Sequence, residues 1–297
     1  MNNGKVDWKG AFVAVVTPFT ASGEIDEAKF VANLELLISE GIHGLVISGC
    51  TGESWALEPD ERLRLFKLAV KTANKKVTVV AGTGGISTKK VAELSIAAKG
   101  AGCDGVMILP PYYAIPSLRE VHEHYRYIND QAKVPIMLYN IPGRCGVEIA
   151  IPTIARLRES HPNIVSVKHA TGRVDDAAEL LSVSNIEVLS GDDPITWPLM
   201  ALGAIGVVSV MSNLCPRAVK RLTHAGLAGD FAAARAAHNA LYPLMRGLLS
   251  LETNPIPIKT ALAIKGLCSE DFRLPMCPIA PENRKKLTDL LERYPLD

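Results

Sequence analysis

The chain is poor in aromatic residues and carries almost no net charge. Aromatic side chains make up 5% of its 297 residues, the formal net charge is +1 and the sequence pI is near 7.6. A protein of this charge has no overall basic field to hold phosphate backbones or an anionic membrane surface. We therefore expect neither nucleic acid nor membrane as a partner.

Paired cysteines and long apolar runs are also missing. The six cysteines form no C-x-x-C pair and have no metal-ligand spacing with the seven histidines. No apolar run is long enough to span a bilayer, and Met1 to Lys9 lacks the apolar segment of a signal peptide. These absences predict free thiols, no metal site and a cytoplasmic location.

Aliphatic residues are abundant and occur in a repeating pattern. Short apolar runs alternate with longer amphipathic stretches, which is typical of buried parallel strands joined by crossover helices. Eight strands are predicted, at residues 11–17, 44–48, 77–81, 105–109, 135–139, 164–168, 186–190 and 206–210. Open sheets more commonly have about five to seven strands, so eight βα units predict an α/β protein with a TIM (β/α)8 barrel.

Helix signals separate these strands and continue after them. Residues 26–40 begin on an Asp26 cap, and residues 59–73 carry Asp60 and Glu61 in the first turn. From about Asp230 the strand pattern ends, and helices are predicted at residues 231–249, 257–267 and 282–294. We therefore expect a barrel at residues 1–229 and a C-terminal helical extension at residues 230–297 that packs on it.

Two polar side chains end neighbouring strands. Lys168 follows the buried run of strand six, where desolvation lowers the pKa of its amine and makes it nucleophilic. Tyr139 ends strand five, close enough to shuttle protons while an imine forms and breaks. The pair indicates imine chemistry. A lysine that extends into solvent and a tyrosine that caps the core remain alternatives for each residue taken alone.

The turn after strand two is rich in small residues. Residues 49–53 (GCTGE) place backbone amides and the Thr51 hydroxyl between a strand and a helix, an arrangement suited to a carboxylate or phosphate. An ordinary strand-to-helix turn has the same composition.

Eight segments spread over nearly the whole chain resemble a known superfamily. They are residues 14–19 (AVVTPF), 49–54 (GCTGES), 81–84 (AGTG), 111–113 (PYY), 139–144 (YNIPGR), 167–172 (VKHATG), 190–193 (SGDD) and 254–257 (NPIP). The resemblance is to the dihydrodipicolinate synthase and N-acetylneuraminate lyase superfamily of pyruvate-dependent class I aldolases. It implies that Lys168 forms a Schiff base with pyruvate, without a metal or organic cofactor, and that Tyr139 is the general acid and base.

The resemblance also implies substrate-binding residues and an assembly. Thr51 and nearby amides would hold the pyruvate carboxylate, while Gly191 and Asp192 would line the side of the second substrate. Members of the superfamily form homotetramers built from tight dimers, in which the residue matching Tyr113 reaches the neighbour's site. Tyr113 is thus a candidate proton relay, although an exposed loop aromatic is the ordinary alternative.

Arg144 distinguishes activities within the superfamily. Dihydrodipicolinate synthases carry arginine in Tyr-Asn-x-Pro-x-Arg, whereas neuraminate lyases usually have an apolar residue there. A guanidinium suits a second substrate with a carboxylate, such as aspartate semialdehyde, although a loop arginine can also simply face solvent. The sequence therefore favours condensation of pyruvate with aspartate 4-semialdehyde in the route to diaminopimelate and lysine. Cleavage of a 2-keto-3-deoxy sugar acid or a sialic acid, and a non-catalytic barrel that senses pyruvate or an amino acid, are the alternatives.

Several positions depart from the superfamily pattern. Cys50 stands where Thr or Ser links the two tyrosines in a proton relay, and a thiol is a weaker hydrogen-bond donor. Cys145 stands where Thr commonly follows the arginine, and His169 replaces a frequent Glu.

A further group of departures concerns feedback by L-lysine. Some members bind L-lysine at the tight dimer interface through an Asn, a Glu and histidines. Here Ile86 and Lys90 take the first two places, and Pro59 and Arg62 take those of the histidines. The exchange of a carboxylate for a cation predicts an enzyme that L-lysine does not inhibit.

Overall fold

The computed structural model describes residues 6–294, and its centre is a closed barrel of eight parallel strands. Each strand pairs with its neighbour in sequence, and the last pairs with the first. The strands are β1 (Gly10–Ala14), β2 (Gly44–Ile47), β3 (Thr78–Gly82), β4 (Gly105–Ile108), β5 (Ile136–Asn140), β6 (Ile164–His169), β7 (Glu187–Ser190) and β8 (Gly206–Ser209). The predicted (β/α)8 fold class is confirmed.

Helices surround the barrel and follow it. They are α1 (Glu27–Ser39), α2 (Pro59–Ala73), α3 (Thr88–Gly100), α4 (Leu118–Ala132), α5 (Pro142–Cys145), α6 (Ile151–Ser160), α7 (Val174–Val183), α8 (Thr196–Ala201), α9 (Pro216–Leu227), α10 (Phe231–Ser250), α11 (Ile256–Ile264) and α12 (Pro281–Arg293). Short 3-10 turns occur at Ser54–Ala56, Asp193–Ile195 and Met211–Asn213. In the described part of the chain, no helix is both long and apolar enough to cross a membrane.

Local signals account for the helix starts. The Asp26 carboxylate accepts a hydrogen bond from Lys29 N at 2.9 Å and caps α1, as predicted. Helix α2 has the predicted bounds, and its first turn carries both predicted acids. Glu61 there also accepts the backbone N–H of Glu58 at 2.9 Å, which completes a capping box.

The first strand is shorter than predicted. It ends at Ala14, whereas the apolar pattern runs on to Thr17. Asn213, from the turn after β8, takes over the backbone groups: its side chain donates to Ala14 O at 2.8 Å and accepts from Val16 N at 3.2 Å. A contact across about two hundred residues therefore ends the strand, and the local pattern carries no sign of it.

The barrel interior is mainly apolar. The inward-facing side chains include Trp8, Phe12, Val46, Val80, Met107, Met137, Leu189 and Val208. Gly44 makes room for this packing, because a Cβ atom there would lie 2.2 Å from the Phe12 ring. In β6 the alternation brings Ser166 and Lys168 to the inner face, and Lys168 lies in register with Tyr139 of β5.

The helices after the barrel form a second apolar cluster against it. Leu244 and Leu248 of α10 and Ile258 of α11 are buried in a cluster that includes Ala11 of β1 and Val207 of β8. We propose that residues 230–297 form a helical extension of the barrel at residues 1–229, because the described residues of α10, α11 and α12 pack on it through this cluster. Residues 1–5 and 295–297 of these ranges lie outside the described residues.

Candidate active site

A cavity of about 530 Å³ opens at the C-terminal end of the barrel. It is lined by Cys50, Thr51, Tyr139, Ile141, Arg144, Lys168, Ala170, Gly191, Asp192, Val210, Leu249, Ser250, Glu252, Thr253 and Asn254. Seven of the eight side chains predicted from the sequence lie in this lining, the exception being Tyr113. The last five lining residues come from the end of α10 and the segment after it.

Two larger cavities lie elsewhere. One of about 1020 Å³ is lined by Lys9, His43 and Thr78, at the start of the strands, and one of about 610 Å³ lies beside Arg158 and Asn185. Catalytic groups of (β/α)8 enzymes sit at the carboxyl ends of the strands. We therefore take the smaller cavity as the candidate active site.

Lys168 lies against Tyr139 at the base of this cavity. Its Nζ atom is 4.3 Å from the centre of the tyrosine ring, and each residue is only 3% exposed. Burial lowers the pKa of Lys168 to about 8, while Cys50, Asp193 and Asp192 oppose the shift. Relative to the ordinary pKa of 10.5, roughly 300-fold more of the amine is neutral at pH 7. A larger share of the Lys168 amine is thus in the neutral form, which is the form that can act as a nucleophile.

Gly191 provides the space through which the lysine side chain extends. A Cβ atom at this position would lie 2.9 Å from Lys168 Cγ and 2.6 Å from Ala170 Cβ. Any larger residue would displace the lysine stem, so Gly191 acts through the backbone shape that it permits.

Tyr139 is held as a neutral phenol. Burial raises the pKa of Tyr139 well above its ordinary value, and nearby Cys50 adds to the shift. A neutral phenol can both donate and accept a proton, which suits a shuttle beside an amine that becomes an imine.

A chain of hydrogen bonds links four residues along one wall of the cavity. Arg144 donates from Nη1 to Cys50 Sγ at 2.8 Å and from Nη2 to Asn254 O at 2.8 Å. Asn254 Nδ2 in turn donates to Thr51 Oγ1 at 3.1 Å. Asn254 is a site residue that the sequence reasoning did not single out, although it lies in the segment 254–257 that carries the resemblance.

The turn that presents Cys50 and Thr51 is tightly built. Ser48 and Glu53, at its two ends, have φ angles of 54° and 53°. These angles lie in the left-handed region, which residues other than glycine rarely adopt. Within it, Gly52 N donates to Gly49 O at 3.1 Å, and a Cβ atom on Gly52 would meet Val15 O at 2.9 Å. Strained backbone of this kind persists only where the surroundings over-determine it.

Two adjacent acids follow β7 and have different roles in the structure. Asp192 lines the cavity, whereas Asp193 Oδ2 accepts hydrogen bonds from Val210 N and Met211 N, both at 3.0 Å. Burial raises the pKa of both carboxyl groups. Asp193 thereby ties the end of β7 to the turn after β8.

Three residues that the sequence analysis names, Tyr113, Cys145 and His169, do not line the cavity. Tyr113 is 88% exposed, in the loop after β4. Cys145 is buried, and burial raises the pKa of its thiol to about 11. His169 Nε2 lies 3.0 Å from both Thr171 Oγ1 and Arg173 O, so it supports the loop after β6.

Metal ligands are not grouped in the described part of the chain. Within residues 6–294, no cluster of three or more His, Cys, Asp or Glu side chains has a geometry that would hold a metal ion. The six cysteines are all free thiols.

The closed parallel barrel carries, at the carboxyl end of its strands, a buried lysine of lowered pKa beside a tyrosine, and these features define the chain as a (β/α)8 protein with an amine that can react with a carbonyl group. The sequence profile of the Dihydrodipicolinate synthetase family matches residues 7–294. The chain belongs to this family.

Relatives and solved structures match over almost their whole length. The chain is 45% identical over 291 residues to a 4-hydroxy-tetrahydrodipicolinate synthase of Geobacter sulfurreducens, covering 97% of this chain and 99% of the relative. The crystal structure of dihydrodipicolinate synthase from Aquifex aeolicus superposes with a TM-score of 0.95 at 40% identity, covering 97% of this chain and 99% of that one. The 4-hydroxy-tetrahydrodipicolinate synthase from Methylacidiphilum fumariolicum matches with a TM-score of 0.95 at 42% identity, over 97% and 96% of the two chains.

Proposed function

We propose that the chain is a lyase, a 4-hydroxy-tetrahydrodipicolinate synthase that condenses pyruvate with L-aspartate 4-semialdehyde in diaminopimelate and lysine biosynthesis. The observation that carries this proposal is Lys168, buried against Tyr139 with a pKa lowered to about 8. The relatives that match nearly the full chain bear the name of this activity.

Lys168 is proposed as the nucleophile. Its neutral amine attacks the keto carbon of pyruvate, and the carbinolamine loses one water to give the imine. Removal of a methyl proton gives an enamine, which adds to the aldehyde carbon of the semialdehyde. The amine of the semialdehyde then attacks the imine carbon, closes the ring and releases Lys168.

Tyr139 is proposed to move the protons of these steps. Its neutral phenol can protonate the leaving hydroxyl of the carbinolamine and recover the proton afterwards. Cys50 lines the same cavity as Tyr139 and is proposed to take part in the proton relay, in place of the Thr or Ser hydroxyl found in other members of the superfamily. The partner subunit's copy of Tyr113 is proposed to complete the relay, because Tyr113 is exposed in a single chain.

The two carboxylates of the substrates need separate donors. Thr51 and the amides of its turn are proposed to hold the pyruvate carboxylate, and Arg144 the carboxylate of the semialdehyde. Gly191 and Asp192 line the same cavity and are proposed to face the second substrate. Holding both substrates in register supplies much of the rate enhancement.

A coupled assay tests the activity directly. Pyruvate and aspartate semialdehyde, with a reductase that consumes the product, should give turnover, while cleavage of sialic acid and 2-keto-3-deoxygluconate should not. Borohydride added with pyruvate should trap one reduced adduct per chain on Lys168, located by peptide mass spectrometry. An adduct on Lys259 or Lys265 would remove Lys168 from its role, and the absence of both turnover and a trapped adduct would favour a non-catalytic barrel.

The assembly and the compartment are proposed from the exposed apolar surface and the free thiols. Tyr113, Ile115 and Leu118 are exposed on one loop and the start of α4, which suits burial against a second copy of the chain. We propose a homotetramer of tight dimers, which sedimentation should report as about four times the chain mass. A cytoplasmic location accords with the free thiols.

A further inference from the structure

An ion pair buried beneath the active-site turn joins it to the C-terminal extension. Lys259 Nζ on α11 donates to Glu53 Oε1 at 2.7 Å, and both side chains are 0% exposed. The same ammonium donates to Asp271 O at 2.6 Å and lies 4.6 Å and 4.5 Å from the ring centres of Phe19 and Phe272. Neither charge reaches the cavity, so the pair cannot contact a substrate.

The Glu53–Lys259 ion pair anchors the turn after β2 (residues 49–53), because Glu53 is the last residue of that turn. Glu53 is two residues after Thr51, and its backbone N–H donates to Cys50 O at 3.1 Å. Its left-handed conformation is costly for a residue with a side chain and needs an anchor. The fixed carboxylate supplies that anchor and sets the direction in which the turn presents Cys50 and Thr51.

The extension holds the turn at a second point on the cavity side. Asn254 Nδ2 contacts Thr51 Oγ1, and Asn254 is five residues before Lys259. Thr51 and Glu53 are therefore each bound to one end of the same short segment. Two attachments fix both the position and the tilt of the turn, whereas one attachment would leave it free to rotate.

A third contact stabilises the same junction from outside. Arg273 forms an ion pair with Glu61 at 2.7 Å, donates to Ala56 O at 2.8 Å and lies 4.6 Å from the centre of the Phe19 ring. The Phe19 ring thus lies within cation–π distance of both Lys259 and Arg273.

We infer that Glu53 and Lys259 are positioning residues that set the pyruvate-binding geometry of Thr51 and the turn amides. The inference rests on the proposed function, because it assigns that turn to the pyruvate carboxylate. By this inference the C-terminal extension contributes to pyruvate binding. A displacement of α11 changes the affinity for pyruvate through the Glu53–Lys259 ion pair, without a change at Lys168.

Steady-state kinetics of matched variants test the inference. Lys259→Met removes the only ammonium that pairs directly with the buried Glu53 carboxylate among the described residues, and we expect the KM for pyruvate to rise about tenfold or more. The KM for the semialdehyde and kcat should change much less than the KM for pyruvate, because Lys168, Tyr139 and Arg144 are untouched and only Cys50 of the proposed relay lies on the turn. The double variant Glu53→Gln/Lys259→Met should recover most of the pyruvate affinity, since no buried charge is left unpaired.

Two variants serve as controls for a general loss of stability. Glu270→Gln removes an ion pair with Arg284 inside the extension, and Lys265→Met removes an exposed lysine at the end of α11. Both should leave the KM for pyruvate unchanged. If Lys259→Met lowers the melting temperature but leaves the pyruvate KM at the wild-type value, the pair is merely structural and the inference is overturned.

Glu53→Asp covers the case in which Lys259→Met does not fold. It keeps the charge but shortens the side chain by one methylene, so the turn must shift to reach Lys259, and the pyruvate KM should again rise. An unchanged KM in this variant overturns the inference. Borohydride trapping separates this from a failure of the proposed function: wild-type protein that traps no pyruvate on Lys168 removes the function itself. Trapping that saturates at the same pyruvate concentration in wild type and variant removes only the positioning role.

Discussion

The burial of Lys168, the proposed nucleophile, has a cost to stability. Its ammonium is buried, and a pKa of about 8 in place of 10.5 corresponds to about 3 kcal/mol at 1.36 kcal/mol per unit. Because the folded pKa is the lower one, the unfolded chain binds more protons between pH 8 and 10.5. The contribution of Lys168 to the free energy of unfolding therefore rises with pH between pH 8 and 10.5. Below pH 8 the full desolvation cost of its ammonium is present.

Replacement of this lysine by an apolar side chain should abolish turnover and stabilise the fold. We expect Lys168→Met to raise the free energy of unfolding at pH 7 by about 1 to 3 kcal/mol, because the desolvation penalty is removed. The gain should shrink as pH approaches 10.5. Denaturant unfolding at pH 7 and pH 10 measures it, and a variant no more stable than wild type at pH 7 would contradict the assigned burial cost.

Removal of the Tyr139 hydroxyl should separate proton transfer from folding. Tyr139→Phe keeps the ring that lies against Lys168, and we expect turnover to fall about 10²-fold or more. The melting temperature should stay near the wild-type value, since no hydrogen bond of the core is lost with the hydroxyl. Near-normal turnover in the coupled assay would mean that another group moves the protons.

Arg144 lines the cavity and donates to Cys50 and Asn254, which makes its variant informative. Arg144→Ala should raise the KM for the semialdehyde far more than that for pyruvate, by about tenfold or more, because a charge-assisted contact to a carboxylate is lost. Its bonds to Cys50 and Asn254 predict a smaller effect on pyruvate as well. An equal rise in the KM values for pyruvate and for the semialdehyde would show that Arg144 does not specifically bind the carboxylate of the semialdehyde.

Among the elements, the turn after β2 shows how much of the site depends on one short segment. Its flanking residues are left-handed, its interior is closed by hydrogen bonds, and its Cys50 thiol accepts from Arg144. This thiol lines the cavity, whereas Cys145, on α5, is buried with a pKa raised to about 11. The two cysteines should therefore differ in reactivity.

Thiol alkylation tests this difference. Iodoacetamide should modify Cys50 and inactivate the enzyme, pyruvate should slow the loss, and Cys145 should stay unmodified because it is buried as a thiol. Cys277 is exposed, so the experiment uses a Cys277→Ser background. Peptide mass spectrometry identifies the modified residue. Full activity in protein whose Cys50 is quantitatively alkylated would show that this wall of the cavity is not used.

At the scale of the whole molecule, the surface around the start of α3 bears on regulation. Ile86 is 45% exposed and Lys90 is exposed, while the Arg62 guanidinium donates to Gly82 O and has an Nε atom with no partner. Burial lowers the pKa of Arg62 to about 10, so it remains charged at neutral pH. A cationic ligand that approached Lys90 and Arg62 would meet two positive charges.

L-lysine at about 1 mM should therefore leave the condensation rate unchanged, since like charges across a partly desolvated pocket cost several kcal/mol. The double variant Ile86→Asn/Lys90→Glu supplies a hydrogen-bonding amide and a carboxylate, and it should become measurably more sensitive. Initial rates with and without L-lysine give the comparison. Strong inhibition of the wild-type enzyme at or below this concentration would refute the role given to these charges.

The sequence by itself determined the fold class and which residues meet at the centre of the site. Alternation of apolar runs and amphipathic stretches is a local property, and eight such units close into a barrel whose strand ends share one edge. That rule alone brings Lys168 and Tyr139 together, because adjacent parallel strands place their last residues side by side. Cys50, Thr51, Arg144, Gly191 and Asp192 line the same cavity for the same reason.

Only the tertiary structure decided how the C-terminal extension completes the site. Glu53 and Lys259 are 206 residues apart, and Thr51 and Asn254 are 203 apart. No local period relates such residues, since their contact depends on how α10 and α11 pack over the open end of the barrel. The same holds for the early end of β1 at Ala14, which the Asn213 side chain imposes. Burial, and with it the pKa of Lys168, is likewise a property of the assembled barrel, because desolvation comes from all the elements that enclose the amine.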